Sequence, residues 1–531
     1  MTMPVRGLLP LALFFAAQLP AQDRKPLPAD FDAYVEKVRQ TFTIPGLSIA
    51  VVKDGEVVLA RGYGVQALGK DATVDARTNF GIASNSKVFT ALALGLLVEQ
   101  GKLAWNAPVQ QYLPAFHLAD PYVSRELTVL DLLVHRSGLG LGAGDLLWWP
   151  GTDYDRKEIV RRLRHVPLET SFRSAYAYDN VLYLVAGELI EVISGQTWET
   201  FVAERILKAV GMKDSSVRHS DAEKHGNLAA THARVGETVQ AVTPDTSDAT
   251  NPAGGIRSNA EDMAKWLLAL LARGALPDGG RLCSEATWRK LTTLVTPIPI
   301  KDPHPTLGAL RPDFSGYALG LGVSDYRGHK TITHTGGLPG YVSRVLWVPD
   351  ARFGIAVLTN QESLHGIDAI VYRVLDHQHG ASDPDWLEIH DRLETKARAE
   401  TRTAQARAAS ARQAESKPAL PIAAYAGTYR DAWYGDVVVT HSGEGLRIRF
   451  AHTPLLQGRL EHWQHDTFLA RWDDRGLRAD AFVTFTLNPQ GAIDQVRMAP
   501  ASPDVDFSYD YQHLLLRPVA SQGLAGHDKN R

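Results

Sequence analysis

The chain has 531 residues, 44% of them hydrophobic and 22% charged, with a formal net charge of -3. That length exceeds one ordinary core, so two or more domains are expected, and the near-neutral balance removes the electrostatic case for a nucleic-acid partner or an anionic membrane surface. The one cysteine, Cys283, excludes an intramolecular disulfide and a cysteine-based zinc site, which leaves core packing to hold the fold.

The N-terminus carries Arg6, then the apolar, uncharged run LLPLALFFAA over residues 8–17, then Leu19-Pro20-Ala21. This is the plan of a signal peptide, so residues 1–21 are expected to be cleaved, giving a periplasmic or secreted protein without stable membrane insertion. The run is about half of the ~20 residues that a membrane span needs. Residues 31–41 have the pattern of an amphipathic helix. Residues 47–64 hold two β-rich runs around Lys53-Asp54-Gly55, a hairpin signal. A long helix is expected over residues 86–100, followed by a loop-rich region with helices up to residue 271. Strand patterns return at 331–337, 341–348 and 353–360, and a helix over 363–377 closes the unit. Early and late strands around a helical middle predict one domain, residues 22–383, with a sheet built from both chain ends.

Residues 394–416 are mostly Ala, Arg, Glu and Thr, within a segment, 384–417, that reads as an exposed helical linker or a disordered one. From residue 418 to 520 short β-runs recur, at 425–429, 435–440, 446–450, 467–471, 482–487, 493–498 and 511–516. Their spacing predicts a small all-β barrel or sandwich, with residues 521–531 as a tail.

Three short segments carry chemistry. Ser84-x-x-Lys87 stands at the start of the long helix. A serine hydroxyl needs a base, and a lysine one turn later lies on the same face, where a dry pocket lowers its pKa. Alone, this spacing is common and Ser84 reads more readily as a helix cap. Tyr178-Asp179-Asn180 offers a phenol that a neighbouring ammonium would help to ionise, and an amide for a substrate carbonyl or for the lysine. His334-Thr335-Gly336-Gly337 ends a predicted strand, where backbone N–H groups approach a substrate closely; those of Gly337 and Ser84 would form an oxyanion hole. Each segment alone reads as an ordinary turn.

Together, in this order and these contexts, they resemble the serine β-lactamase and penicillin-binding superfamily, with its S-x-x-K, second polar triplet and K-T-G type strand. The Y-x-N triplet resembles the branch with class C β-lactamases, D-aminopeptidases, D-Ala-D-Ala carboxypeptidases and β-lactamase-like esterases. The resemblance extends over residues 44–363, and YAGTYRDAWYGDVVV, residues 425–439, resembles the small β domain often appended to these hydrolases. It implies an α/β sandwich of mainly antiparallel sheet and flanking helices. It also implies Ser84 as nucleophile, Lys87 as its base, Tyr178 as the group that protonates the leaving group and activates the deacylating water, and Asn180, His334, Thr335 and Gly337 as substrate-binding residues. No cofactor or metal is called for, and the partner is a small-molecule or peptide substrate.

One departure matters. His334 stands where lactamases carry lysine, and a histidine that titrates near neutrality would be only partly charged. The expected function is therefore a secreted hydrolase of an ester or amide, of esterase or D-amino-acid peptidase type. A β-lactamase, or a non-catalytic penicillin-binding or sensor protein, is the alternative. Among other features, Trp148 and Trp149 read as loop anchors or as the wall of an acyl pocket. Asp131 and His135, one turn apart, read as scaffold rather than a catalytic pair. His377 and His379 read as a solvated helix end.

Overall fold

The computed structural model describes residues 27–244, 247–382 and 384–519. The signal peptide read at residues 1–21 and the tail at 521–531 lie outside the described residues.

The expected first helix is α1 (Phe31–Thr41), which buries Phe31, Tyr34, Val35 and Val38 along one stripe. The hairpin follows as β1 (Gly46–Lys53) and β2 (Glu56–Gly64). It turns at Asp54 and Gly55, both at positive φ (53° and 87°), the left-handed backbone that a tight hairpin needs and that Asp-Gly supplies at low cost. Three helices matter next: α2 (Lys87–Glu99), α3 (Val181–Ser194) and α4 (Ala260–Leu271). The returning strands are β3 (Thr296–Pro297), β4 (Ser315–Tyr317), β5 (Gly322–Tyr326), β6 (His329–Leu338), β7 (Tyr341–Val348) and β8 (Phe353–Thr359), and α5 (Leu364–His379) closes the unit.

The strands form one eight-stranded sheet in the order β2-β1-β8-β7-β6-β5-β4-β3. β1 pairs antiparallel with β8, Leu47 facing Thr359 and Lys53 facing Phe353, so the two ends of the unit meet inside the sheet, one strand in from its β2 edge. Both faces are covered, and the alternation of β1 shows how. Leu47, Ile49 and Val51 pack with α1 and α5, while Ala50 and Val52 belong to the opposite layer with α2 and α4. Each large aliphatic side chain so buried contributes about 1.5–3 kcal/mol. α2 is buried from Lys87 to Leu97, a helix apolar on all sides because it runs through the middle of the helical layer. Its position fixes that of the Ser84 turn immediately before it.

The charged segment is helical. α6 (Trp386–Ala411) runs 26 residues and buries only Trp386, Leu387 and His390, near its start. Its remaining Ala, Arg, Glu and Gln hold the helix by propensity. The C-terminal unit has β9 (Gly427–Asp431), β10 (Gly435–Ser442), β11 (Gly445–Phe450), β12 (Gln457–Gln464), β13 (Thr467–Trp472), β14 (Ala481–Leu487), β15 (Ile493–Pro500) and β16 (Arg517–Pro518), an eight-stranded antiparallel meander with β16 beside β9. Leu516 exchanges both backbone hydrogen bonds with Val496 of β15, so the last strand joins the two edges and nearly closes a barrel.

Two expectations here need correction. β12 is hidden in the sequence, because its inward positions include Gly458 and Leu460 among Arg, Glu, His and Gln. Residues 511–516 are not a continuous strand. They begin with a short 3-10 turn, Tyr511–His513, whose register is set by Asp510: its carboxylate accepts from the Gly144 N–H (2.6 Å) of the first unit and pairs with His513.

Candidate active site

Ser84 sits in a single 3-10 turn, Ala83–Ser86, that leads into α2. Ala83 before it holds a left-handed φ of 49°, costing about 1–2 kcal/mol for a residue with a Cβ. The turn is held by buried bonds: Asn85 Nδ2 donates to Ser343 Oγ (2.8 Å), and Ser343 donates to the Ile82 carbonyl (2.8 Å). Ser84 is left half-exposed on the floor of a cleft of about 410 Å³.

Two proton carriers converge on that hydroxyl. Lys87 Nζ lies 3.0 Å and Tyr178 Oη 2.8 Å from Ser84 Oγ. Lys87 also reaches Asn180 Oδ1 (2.7 Å) and the Ala253 carbonyl (3.0 Å). Full burial pushes the Lys87 pKa down to about 7, against the opposing pull of the Asp145 and Asp179 carboxylates. A neutral amine has two N–H bonds and one lone pair. With Asn180 and Ala253 able only to accept, the lone pair is left facing the Ser84 hydroxyl. Tyr178 behaves otherwise than expected. Burial holds its phenol well above the usual tyrosine range, outweighing the bond to Ser84, so it stays protonated and donates to Ser84 Oγ.

The Asn180 carboxamide is used at both ends, since Nδ2 donates to Asp145 Oδ2 (2.8 Å). Asn180 therefore orients the lysine in the resting site. Asp145 was not singled out from sequence. It is fully buried, and desolvation pushes its pKa up to about 8 although the Trp148 indole N–H, Asn180 and Ser508 all donate to it. Its signal was a lone carboxylate between Gly144 and the apolar Leu146 to Pro150 segment, easily read as a helix cap.

β6 supplies the facing wall, with Thr333, His334, Thr335, Gly337 and Leu338 lining the cleft. His334 corrects the expected partial charge. Its Nδ1–H donates to the Thr335 carbonyl, and Nε2 accepts from the Tyr317 hydroxyl (2.7 Å). Burial, followed by the nearby Lys87, pushes its pKa down to about 3, so at pH 7 it is a neutral imidazole. Gly336 lets the strand approach the Ser84 turn. An added Cβ would stand 2.3 Å from the Ile82 carbonyl oxygen and 2.9 Å from Ala83 Cβ. Gly336→Ala is expected to cost about 1–3 kcal/mol through overpacking. It should lower activity by about tenfold, because it displaces the Ser84 turn by a fraction of an ångström. Thermal unfolding measured beside steady-state kinetics would show both losses together.

Asp131 and His135 do not pair. Asp131 binds Arg136 and Arg173, while His135 accepts from the Asp179 N–H (3.2 Å) and lies against Tyr178 with ring centroids 4.4 Å apart. Trp148 and Trp149 are buried, as loop anchors are, and both also line the cleft. Cleft residues that sequence did not single out include Phe507 and Ser508, from the distant C-terminal unit.

Comparison with known proteins agrees with this geometry. Residues 31–378 match the family model Beta-lactamase, and residues 411–518 match a domain of unknown function, DUF3471. The unguisins hydrolase ungD' of Aspergillus campestris is 28% identical over 493 residues, covering 89% of each chain. The protein flp of Staphylococcus aureus is 26% identical, over 62% of this chain and 63% of its own. Among solved structures, the octameric penicillin-binding protein homologue of Pyrococcus abyssi superposes with a TM-score of 0.57 at 21% identity, covering 89% of this chain and 98% of that one. The D-amino acid amidase of Ochrobactrum anthropi SV3 gives 0.55 at 23%, covering 66% and 99%. At such identities the structural likeness speaks for the fold. With the family model spanning the whole first unit, and with Ser84, Lys87 and Tyr178 gathered in its cleft, the chain belongs to the Beta-lactamase family, as a serine hydrolase.

Proposed function

We propose that the protein is an exported hydrolase that cleaves an ester or amide substrate bearing no carboxylate, through an acyl-enzyme on Ser84. The observation that carries this reading is the placing of one amine and one protonated phenol within 3.0 Å of the same hydroxyl. Ser84 Oγ attacks the carbonyl carbon as Lys87 takes its proton. The developing oxyanion is met by the N–H groups of Ser84 and Gly337. Tyr178 passes its proton to the leaving oxygen or nitrogen and regains one from Lys87, and the same pair then activates the water that frees Ser84. Export rests on residues 1–21 alone. Among the described residues no helix is long and apolar enough to cross a membrane.

The substrate class follows from charge. A β-lactam presents a carboxylate, and the residue at the position of the family's lysine is a neutral, fully bonded imidazole. Relatives named as an unguisins hydrolase and a D-amino acid amidase favour amide-type acyl substrates over lactams. A panel of a p-nitrophenyl ester, a D-aminoacyl amide and nitrocefin tests this. The ester or the amide is expected to turn over with kcat/KM about 100-fold or more above nitrocefin, the discrimination that one missing charge contact of about 3 kcal/mol gives. Nitrocefin as the best of the three would refute the carboxylate-free reading.

A further inference from the structure

The C-terminal barrel is joined to the first unit at its catalytic end. Gly144, Asp145 and Glu169 of the first unit are each bonded to residues 508–513, and Asp145 also accepts from Asn180, which lines the Ser84 cleft. Ser508 Oγ donates to Asp145 Oδ2 (2.9 Å), the Gly144 N–H donates to Asp510 Oδ2 (2.6 Å), and His513 bridges Asp510 and Glu169 (2.6 Å to Glu169). Asp145 and Asp510 are both buried, so these bonds are shielded from water. Farther from the cleft, Tyr154 donates to the Tyr434 carbonyl (2.5 Å) and Arg162 to the Trp433 carbonyl (2.9 Å). The chain that follows the turn at residues 506–508 is thus pinned to the first unit through Ser508, Asp510 and His513.

What the turn presents is Phe507. Its ring meets the Tyr178 ring edge-on at 6.2 Å between centroids. It remains 41% exposed, and the side chain lines the same cleft as Ser84, Leu141, Trp148 and Tyr176. The first unit makes room for it. Gly142 has φ of 68°, and a Cβ there would stand 2.6 Å from Phe507 Cδ2 and 2.9 Å from its carbonyl oxygen. The Gly142 N–H also donates to the Tyr178 carbonyl (2.9 Å), so the seat of Phe507 and the catalytic phenol share one backbone contact. A large apolar side chain held rigidly by buried polar anchors, yet left open toward a cleft, is a surface for a ligand.

We propose that Phe507 of the C-terminal barrel is a specificity-determining wall of the acyl pocket, selecting substrates whose acyl group extends as an apolar chain or ring. This deepens the hydrolase reading and rests on it. A small acetyl group held at Ser84 ends before it contacts the ring, while a longer or aromatic acyl group lies along it. Removing the ring then costs binding only for the longer groups.

The test uses the full chain and p-nitrophenyl acetate, butyrate, octanoate and phenylacetate, with wild type, Phe507→Ala and Phe507→Leu. In Phe507→Ala, kcat/KM for octanoate and phenylacetate is expected to fall about tenfold or more, mainly through KM, with acetate within about threefold of wild type. Phe507→Leu keeps most of the apolar volume and should recover part of the loss. A uniform fall across the series, or an unchanged profile, would overturn the role of Phe507 while leaving the hydrolase reading intact. A wild type without Ser84-dependent turnover of any of the four, and of a D-aminoacyl amide run beside them, would overturn the hydrolase reading itself.

Discussion

Replacing Ser84 with alanine is expected to lower kcat by about 10⁴-fold or more on any substrate the protein turns over, as loss of a nucleophile does in other acyl-transfer enzymes. The fold should survive. Ser84 is half-exposed, and the turn that carries it is held by Asn85, Ser343 and the Ile82 carbonyl, none of which bonds to the Ser84 side chain. Lys87 would keep Asn180 and Ala253 as partners. Near-identical circular dichroism and thermal unfolding beside the lost rate would separate chemistry from structure. Residual activity near the wild-type level would mean that another group carries the acyl transfer.

Lys87→Met is expected to cost about 10³-fold or more in kcat/KM, because it removes the amine that contacts the hydroxyl. The pH dependence gives a sharper signature. Burial places the Lys87 pKa at about 7, and only the neutral amine accepts the serine proton, so kcat/KM should rise with pH through about 7 and level off above it. The other groups facing Ser84 do not titrate there. Tyr178 is held well above 10, and His334 is pushed down to about 3. Asp145 is the exception, raised to about 8, so the rising limb belongs to the Lys87–Asp145 pair. Asp145 favours the charged lysine, and Asp145→Asn should therefore move the limb to lower pH. Lys87→Arg, which keeps its proton throughout, should be as inactive as Lys87→Met. A flat profile between pH 5 and 9 would count against Lys87 as the base.

Much of the catalytic core was legible because it is local. Ser84 and Lys87 share one helical turn, and the Gly336-Gly337 pair closes a strand whose alternation is plain in the sequence. Tyr178 and Asn180 were reachable only through resemblance, since nothing in their own segment says what faces it. What stayed hidden depends on burial and on distant partners. A histidine titrates near neutrality in water, and here the loss of solvent, the nearby Lys87 and the Tyr317 hydroxyl donating to Nε2 outweigh the pull of the Thr335 carbonyl and keep His334 neutral at pH 7. Tyr178 was expected to ionise beside an ammonium, but desolvation of the phenolate outweighs that attraction. Asp145 and Phe507 lie in segments whose own residues do not show what they face, and Asp145 meets Ser508, the residue after Phe507, across 363 residues because the two domains close on one another. In the barrel, strand β12 escaped notice because glycine occupies an inward position, where the partner strand's backbone comes within 2.0 Å of an added Cβ at Gly458.

Phosphonylation by a fluorophosphonate, followed by intact mass and peptide mapping, tests the activated hydroxyl most directly. A single adduct on Ser84 is expected, forming at a rate that climbs through pH 7 and is lost in Lys87→Met. An adduct on a different residue, or an unchanged labelling rate in Lys87→Met, would contradict the assignment of nucleophile and base.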